Sequence, residues 1–335
     1  MKTEFVKITD NFDELKKAGE IIKNGGLVAF PTETVYGIGA NGLNETAAQK
    51  IYEAKGRPSD NPLILHVLDV KQAEDIGYIN ETAKKLFDAF SPGPLTVIVN
   101  KKSIVPDCTT GGLDTVAVRI PSSEIARRII EYSGCPIAAP SANLSGKPSP
   151  TAFEHVKDDL NGRVDMIVDG GGIEVGIEST IIDATKNPPV ILRPGAVTLE
   201  MLQSIFKGAK EAKSPESEDE SYKPPCPGMK YKHYAPKAHV TVFEDRNLIQ
   251  KEIDKLQYEK KRVGIFCHDE SDFDGDYVIK WGKTAEDMAR LMFYALREFD
   301  KQGVDNVLCE MPAKGGLGSG IRNRLYKSAG YDIRK

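Results

Sequence analysis

The chain has 335 residues, 40% hydrophobic and 28% charged, with 30 Gly, 20 Pro and a formal net charge of −4. This exceeds one ordinary domain of roughly 100–200 residues, so two domains are expected, and the composition excludes disordered and fibrous classes. The slight acidity provides no global basic field for tight nonspecific nucleic-acid binding, and the short apolar runs provide no bilayer span.

In chain order, residues 1–208 alternate β-rich runs with amphipathic stretches. A helix over Asp13–Lys23 stops before Gly25-Gly26, and a strand is expected at Leu27–Phe30. A second helix, Asn44–Ala54, starts on an Asn cap and carries Ala47, Ile51 and Ala54 on one face. Further strands are expected at Leu63–Val67, Leu95–Val99, Thr115–Ile120, Met166–Val168, Ser179–Asp183 and Val190–Leu192. Strands outnumber helices, which favours a twisted, partly antiparallel sheet over a strictly alternating doubly wound one.

Residues 209–236 read as a linker, with an acidic run at Glu216, Glu218, Asp219 and Glu220 and then Pro224, Pro225, Pro227 and Pro236. Residues 237–335 form a smaller α/β domain of Rossmann-like type. Its strands are expected at His239–Phe243, Val263–Cys267, Tyr277–Lys280 and Val307–Cys309, and its helices at Leu248–Gln257, Ala285–Phe299 and Ile321–Ser328.

Two clusters suggest an anion site assembled by folding. Lys55-Gly56-Arg57 follows a helix that ends at its glycine; Arg57 offers a planar fork and Lys55 a mobile point charge, although an ordinary helix C-terminus also favours cations. Ser141-Ala142-Asn143, after Ile137-Ala138-Ala139, supplies short donors and backbone N–H groups, equally the content of a Ser/Asn turn. Thr32, Thr34 and Tyr36 are candidate hydroxyl contacts, or parts of an extended Pro loop. His66 lies in an apolar strand, where a hydrogen-bonded core role competes with substrate contact. Arg119 and Arg193 each end a β-branched run, where a buried cation needs an anionic partner.

The chain has no G-x-x-x-x-G-K-[ST] and no H-E-x-x-H. Its five cysteines (108, 135, 226, 267 and 309) form no C-x-x-C, so reduced, mostly buried thiols are expected and no zinc site. Gly315 to Gly320 reads as the tight start of a helix rather than an anion site, because Gly318-x-Gly320-x-x-Asn323 lacks the third glycine of a dinucleotide fingerprint. Met1-Lys2-Thr3-Glu4 lacks the apolar core of a signal peptide, and a cytoplasmic protein is expected.

Six blocks in order carry a resemblance: P-T-E-T-V-Y-G at 31–37, K-G-R-P-S-D-N-P-L-I-L-H at 55–66, V-A-V-R-I-P at 116–121, A-P-S-A-N-L-S-G at 139–146, E-S-T-I-I-D at 178–183 and R-P-G at 193–195. Together with P-G-M-K-Y-K-H-Y-A-P at 227–236 they resemble the YrdC-like family in its two-domain form. The resemblance implies a nucleotidyl transfer in which L-threonine, bicarbonate and ATP give L-threonylcarbamoyladenylate and pyrophosphate. A downstream transferase complex then modifies tRNA.

By the same resemblance Lys55 and Arg57 are catalytic. Thr34, His66, Arg119, Ala139 and Ser179 surround threonine, and Arg57, Asn61, Thr115, Ser141, Asn143, Ser149, Arg193 and Tyr234 hold ATP. Lys55 and Arg57 are then assigned to the developing phosphate charge, Arg119 to the threonine carboxylate and Arg193 to the nucleotide phosphates. Magnesium arrives with ATP rather than in a protein cage. The linker is expected to act as a lid, hinged at Gly228 and carrying Tyr231, His233 and Tyr234, unless it is a spacer. Lys232 stands where the family's linker often has Arg, and Cys226 where it has another small residue. The rivals are a hydrogenase-maturation carbamoyltransferase, which should carry zinc-finger cysteine pairs, and a double-stranded RNA-binding module. With the synthase reading, RNA contact is expected to be weak.

Overall fold

The computed structural model describes residues 2–9, 11–212, 226 and 233–335. The acidic run, Pro224, Pro225, Pro227, Gly228, Tyr231 and Lys232 lie outside the described residues. Among the described residues no helix is long and apolar enough to cross a membrane.

The first domain is built on a mixed sheet. From one edge its strands run Glu4–Lys7, Met166–Asp169, Val28–Pro31, Tyr36–Asn41, Ile137–Ala138, Ile64–His66, Thr115–Arg119, Leu95–Lys101, Thr180–Asp183, Val190–Arg193 and Lys210–Glu211. Ile64–His66 lies parallel to Thr115–Arg119, whereas Leu95–Lys101 lies antiparallel to it, so the expected mixed sheet is what forms. Side chains alternate across each strand. Val28 and Phe30 pack with Leu15, Ile22, Ile129 and Ile130 under helices Glu14–Lys23 and Glu124–Ser133. Ala29 points the other way, into a core with Ile38, Ile51, Leu65, Val97 and Val118. The second helix begins where expected, its Asn44 side chain accepting from the Ala47 N–H.

Tyr36–Asn41 forms a strand beyond those expected from sequence, and Lys210–Glu211 carries the first sheet past residue 208. In both places the pairing partner, rather than the local pattern, supplies the stabilisation. The fully buried Cys226 packs with Ile64, Ile98, Ala117 and Ile181.

The second domain has a five-stranded sheet, ordered Tyr277–Lys280, Val263–Cys267, Asn306–Glu310, His239–Phe243 and Ile333–Arg334, with every pair parallel. Helix Ala285–Gln302 starts on a reciprocal Thr284/Asp287 cap. The last helix is Gly316–Ser328, beginning five residues before the expected Ile321, so Gly316, Gly318 and Gly320 lie inside it and Gly315 sits at its N-cap. The reason is tertiary. A Cβ at Gly320 would stand 3.1 Å from the Gly195 Cα, so glycine lets this helix press on the first domain. Val35 and Ile177 of the first domain join the second domain's core beside Met288, Phe293 and Ile321.

Candidate active site

The site opens at the ends of first-domain strands. Thr32 and Thr34 sit in the turn between Val28–Pro31 and Tyr36–Asn41, their hydroxyls 2.9 Å apart. Thr32 Oγ1 donates to the Val35 carbonyl at 2.7 Å, which closes the turn. Tyr36 is not a contact here: its ring is buried in the core and its hydroxyl donates to the Gly171 carbonyl at 3.0 Å.

Lys55 is the last residue of helix Glu45–Lys55, and Gly56 ends that helix in the left-handed conformation, φ 60°. Lys55 is therefore not the mobile loop cation expected from sequence. It is 2% exposed, and its ammonium donates to the Ser141 carbonyl and, at 2.5 Å, to that of Asn143. Burial, with the Arg57 charge adding to it, holds its pKa well below the usual lysine value. Arg57 emerges half-buried after the turn and donates to the Pro62 carbonyl at 3.1 Å; its Nε is buried with no partner. Burial draws its pKa down to about 10.

The Lys55/Arg57 and Ser141/Asn143 motifs thus meet, but differently from the expectation. Ser141 Oγ donates to Asn143 Oδ1 at 2.6 Å, and Asn143 Nδ2 donates to the carbonyls of Leu144 and Lys147. The amide shapes the turn, while the carbonyls of Ser141 and Asn143 hold the lysine.

His66 and Arg119 are register neighbours at the ends of two parallel strands. Burial, then the Arg119 charge, pushes the His66 pKa down to about 3, so the imidazole is neutral at ordinary pH. Arg119 is 4% exposed, and its expected partner proves to lie within the chain: Nη2 donates to Glu33 Oε1 at 2.7 Å. Burial pushes the Glu33 carboxyl up, but the charge and hydrogen bond of Arg119 outweigh it and hold the pKa below the ordinary value.

The opposite wall comes from residues 178–193. Ser179 Oγ pairs with Thr96 Oγ1 at 2.7 Å, and Arg193 donates to the Ser179 carbonyl through Nε at 3.1 Å and Nη2 at 3.0 Å. Ser149 Oγ donates to Glu178 Oε1 at 2.5 Å. His233 and Tyr234 complete the lining. Tyr234 takes a left-handed φ of 65° and lies 5.2 Å from the Phe293 ring of the second domain.

Of the residues named from sequence, Thr34, Lys55, Arg57, His66, Arg119, Ala139, Ser141, Asn143, Ser149, Ser179, Arg193 and Tyr234 line this one cavity. Asn61 and Thr115 are not among its lining residues. Thr115 begins the strand that Arg119 ends, and four residues at about 3.3 Å each separate them by about 13 Å. Asn61 is buried, its carbonyl accepting from Tyr52 and Arg57 and its Oδ1 without a partner.

A family model described as "Telomere recombination" (Sua5, YciO and YrdC) matches residues 20–195. Another, "Threonylcarbamoyl-AMP synthase, C-terminal domain", matches residues 197–330. The chain is 46% identical to the threonylcarbamoyl-AMP synthase of Pyrococcus abyssi, with 99% of each chain covered. The chain belongs to the threonylcarbamoyl-AMP synthase family. It is 45% identical to the Bacillus subtilis member, over 98% of this chain and 99% of that one. The crystal structure of P. abyssi Sua5 complexed with L-threonine superposes with a TM-score of 0.95 at 45% identity, covering 100% of this chain and 99% of that one.

Within that family assignment, Glu33, Glu178 and Arg324 are the residues that sequence reasoning missed. Glu33 and Glu178 sit inside the quoted P-T-E-T and E-S-T blocks, and the need of Arg119 and Arg193 for anions was the available signal. Arg324 carried no local signal.

Proposed function

We propose that the cavity joins L-threonine, bicarbonate and ATP into threonylcarbamoyl-AMP and pyrophosphate, a nucleotidyl transfer. The observation that carries this is the convergence of Lys55, Arg57, Arg119 and Arg193, from three separate segments, on one cavity. The threonine amine attacks the bicarbonate carbon and water leaves, giving a carbamate. A carbamate oxygen then attacks the α-phosphorus, and the bond from that phosphorus to the pyrophosphate oxygen breaks. No covalent enzyme intermediate is required, so positioning and charge neutralisation do most of the work.

Arg119 receives the threonine carboxylate, with Glu33 keeping the guanidinium charge in check; Thr34, neutral His66, Ala139 and Ser179 surround the rest. Lys55 and Arg57 face the phosphorus under attack, and Arg193 faces the nucleotide phosphates with Ser141, Asn143, Ser149 and Tyr234. Asn61 and Thr115 would join the nucleotide only through a rearrangement of the site on binding. Magnesium would neutralise the departing pyrophosphate. The ion would travel on ATP; among the described residues no group of three His, Cys, Asp or Glu side chains is placed to hold it. His233 and Tyr234 are the part of the linker that covers the ligand; deletion of 227–236 should abolish ATP affinity, and undiminished affinity would make the segment a spacer.

The adenylate would pass to a threonylcarbamoyl-transferase complex acting on tRNA, in the cytoplasm, with at most weak RNA contact by this chain. The full-length relatives favour this reading over the RNA-binding and carbamoyltransferase rivals. The test is pyrophosphate release from ATP with threonine and bicarbonate each present or omitted, with mass detection of the adenylate. Release that needs both, together with the adenylate mass, supports the reaction; release independent of either rejects it.

A further inference from the structure

Among the described residues Arg324 is the largest fully buried side chain, and it reaches from the second domain into the wall of the first. Its Nε donates to Glu178 Oε2 at 3.0 Å and its Nη2 to the Glu178 carbonyl at 3.2 Å, while Nη1 donates to the Pro194 carbonyl. One guanidinium therefore ties together the two loops that carry Ser179 and Arg193. Gly320, one turn earlier in the same helix, allows the approach that puts it there.

Glu178 stands in the cavity wall, 7% exposed, with Ser149 donating to its other oxygen. A buried carboxylate beside Arg193 would oppose a polyphosphate unless it is itself neutralised. We propose that Arg324 is a positioning residue for the reaction proposed above: it neutralises Glu178 and locks the Glu178–Ser179 and Arg193–Pro194 loops, so that the second domain is a working part of the ATP site. This rests on the synthase reading of the cavity. It assigns the second domain a task that a spacer or an independent module would not have.

The fork makes the task specific. Lysine would keep the charge but could not reach the Glu178 carboxylate, the Glu178 carbonyl and the Pro194 carbonyl together. Arg324→Met removes charge and fork, leaving Glu178 unpaired; Glu178→Gln then removes the stranded charge with little change in shape.

The experiment uses the full chain and reads KM for ATP and for threonine, kcat, and ATP binding by calorimetry, with circular dichroism and Tm confirming the fold. Arg324→Met should raise KM for ATP roughly tenfold, the scale of one lost charge-assisted contact, with a smaller rise for threonine. Glu178→Gln in the Arg324→Met background should recover much of that loss. A purely structural clasp would not be rescued by neutralising its partner. Should Arg324→Met fail to fold, Arg324→Lys serves, with a KM for ATP above that of the unaltered chain. An unchanged KM for ATP in a folded Arg324 variant, or a loss that Glu178→Gln leaves intact, overturns the inference. A wild-type chain that binds ATP yet makes no adenylate defeats the reaction instead, and calorimetry on the same variants still decides the role of Arg324.

Discussion

At one end of the cavity Arg119 is met by Glu33 at 2.7 Å, beside a His66 held neutral. At the other, Lys55, Arg57 and Arg193 donate to backbone carbonyls. A carbonyl satisfies an N–H but cancels no unit of charge, so the second end is held ready for an anion and the first is close to neutral already. The difference suits an amino-acid zwitterion at one end and a polyphosphate at the other. The residue types are alike at both ends, and the partner chosen by the fold decides what each end receives.

Removing the guanidinium at the neutral end should have the largest effect. Arg119→Met leaves Glu33 buried and unpaired, and a cost of about 3–5 kcal/mol is expected from chemical denaturation; no loss of stability would mean that Glu33 finds another partner. At the cationic end, Arg57→Ala should lower kcat about 10²–10³-fold with circular dichroism unchanged. Near-normal turnover would remove Arg57 from the reacting phosphate.

Lys55 sharpens the contrast through protons. Its pKa is depressed by burial, so a phosphate arriving beside it should raise that pKa again and shift the side chain from amine towards ammonium. Calorimetric titration with ATP in buffers of different ionisation heat should show net proton uptake, and Lys55→Met should abolish it.

The smallest effect is the acid limb of stability. The folded pKa of Glu33 lies below its ordinary value of 4.5, so its pairing with Arg119 stabilises fully above that value and is lost as pH falls through the folded one. The combined Glu33→Gln, Arg119→Met change should flatten this part of the stability curve, measured as Tm against pH.

Much of this protein was legible in the chain because the responsible forces are local. Apolar runs such as Leu95–Val99 set strands, Asn44 set a helix start, and the ordered blocks from Pro31 to Gly195 contain most, though not all, of the residues that line one cavity. Partners were not legible. The sequence marked Arg119 as needing an anion, yet Glu33 answers it from 86 residues away; it marked Lys55 as a free charge, yet the turn at Ser141 and Asn143 binds it. Arg324 had no mark, because its meaning depends on Gly320 letting one helix settle against Gly195 and on Glu178 waiting there. Periodicity and capping act over one or two turns of chain, which a sequence records directly. Charge compensation in a buried site depends on distances across the fold, and those exist only once the two domains have packed.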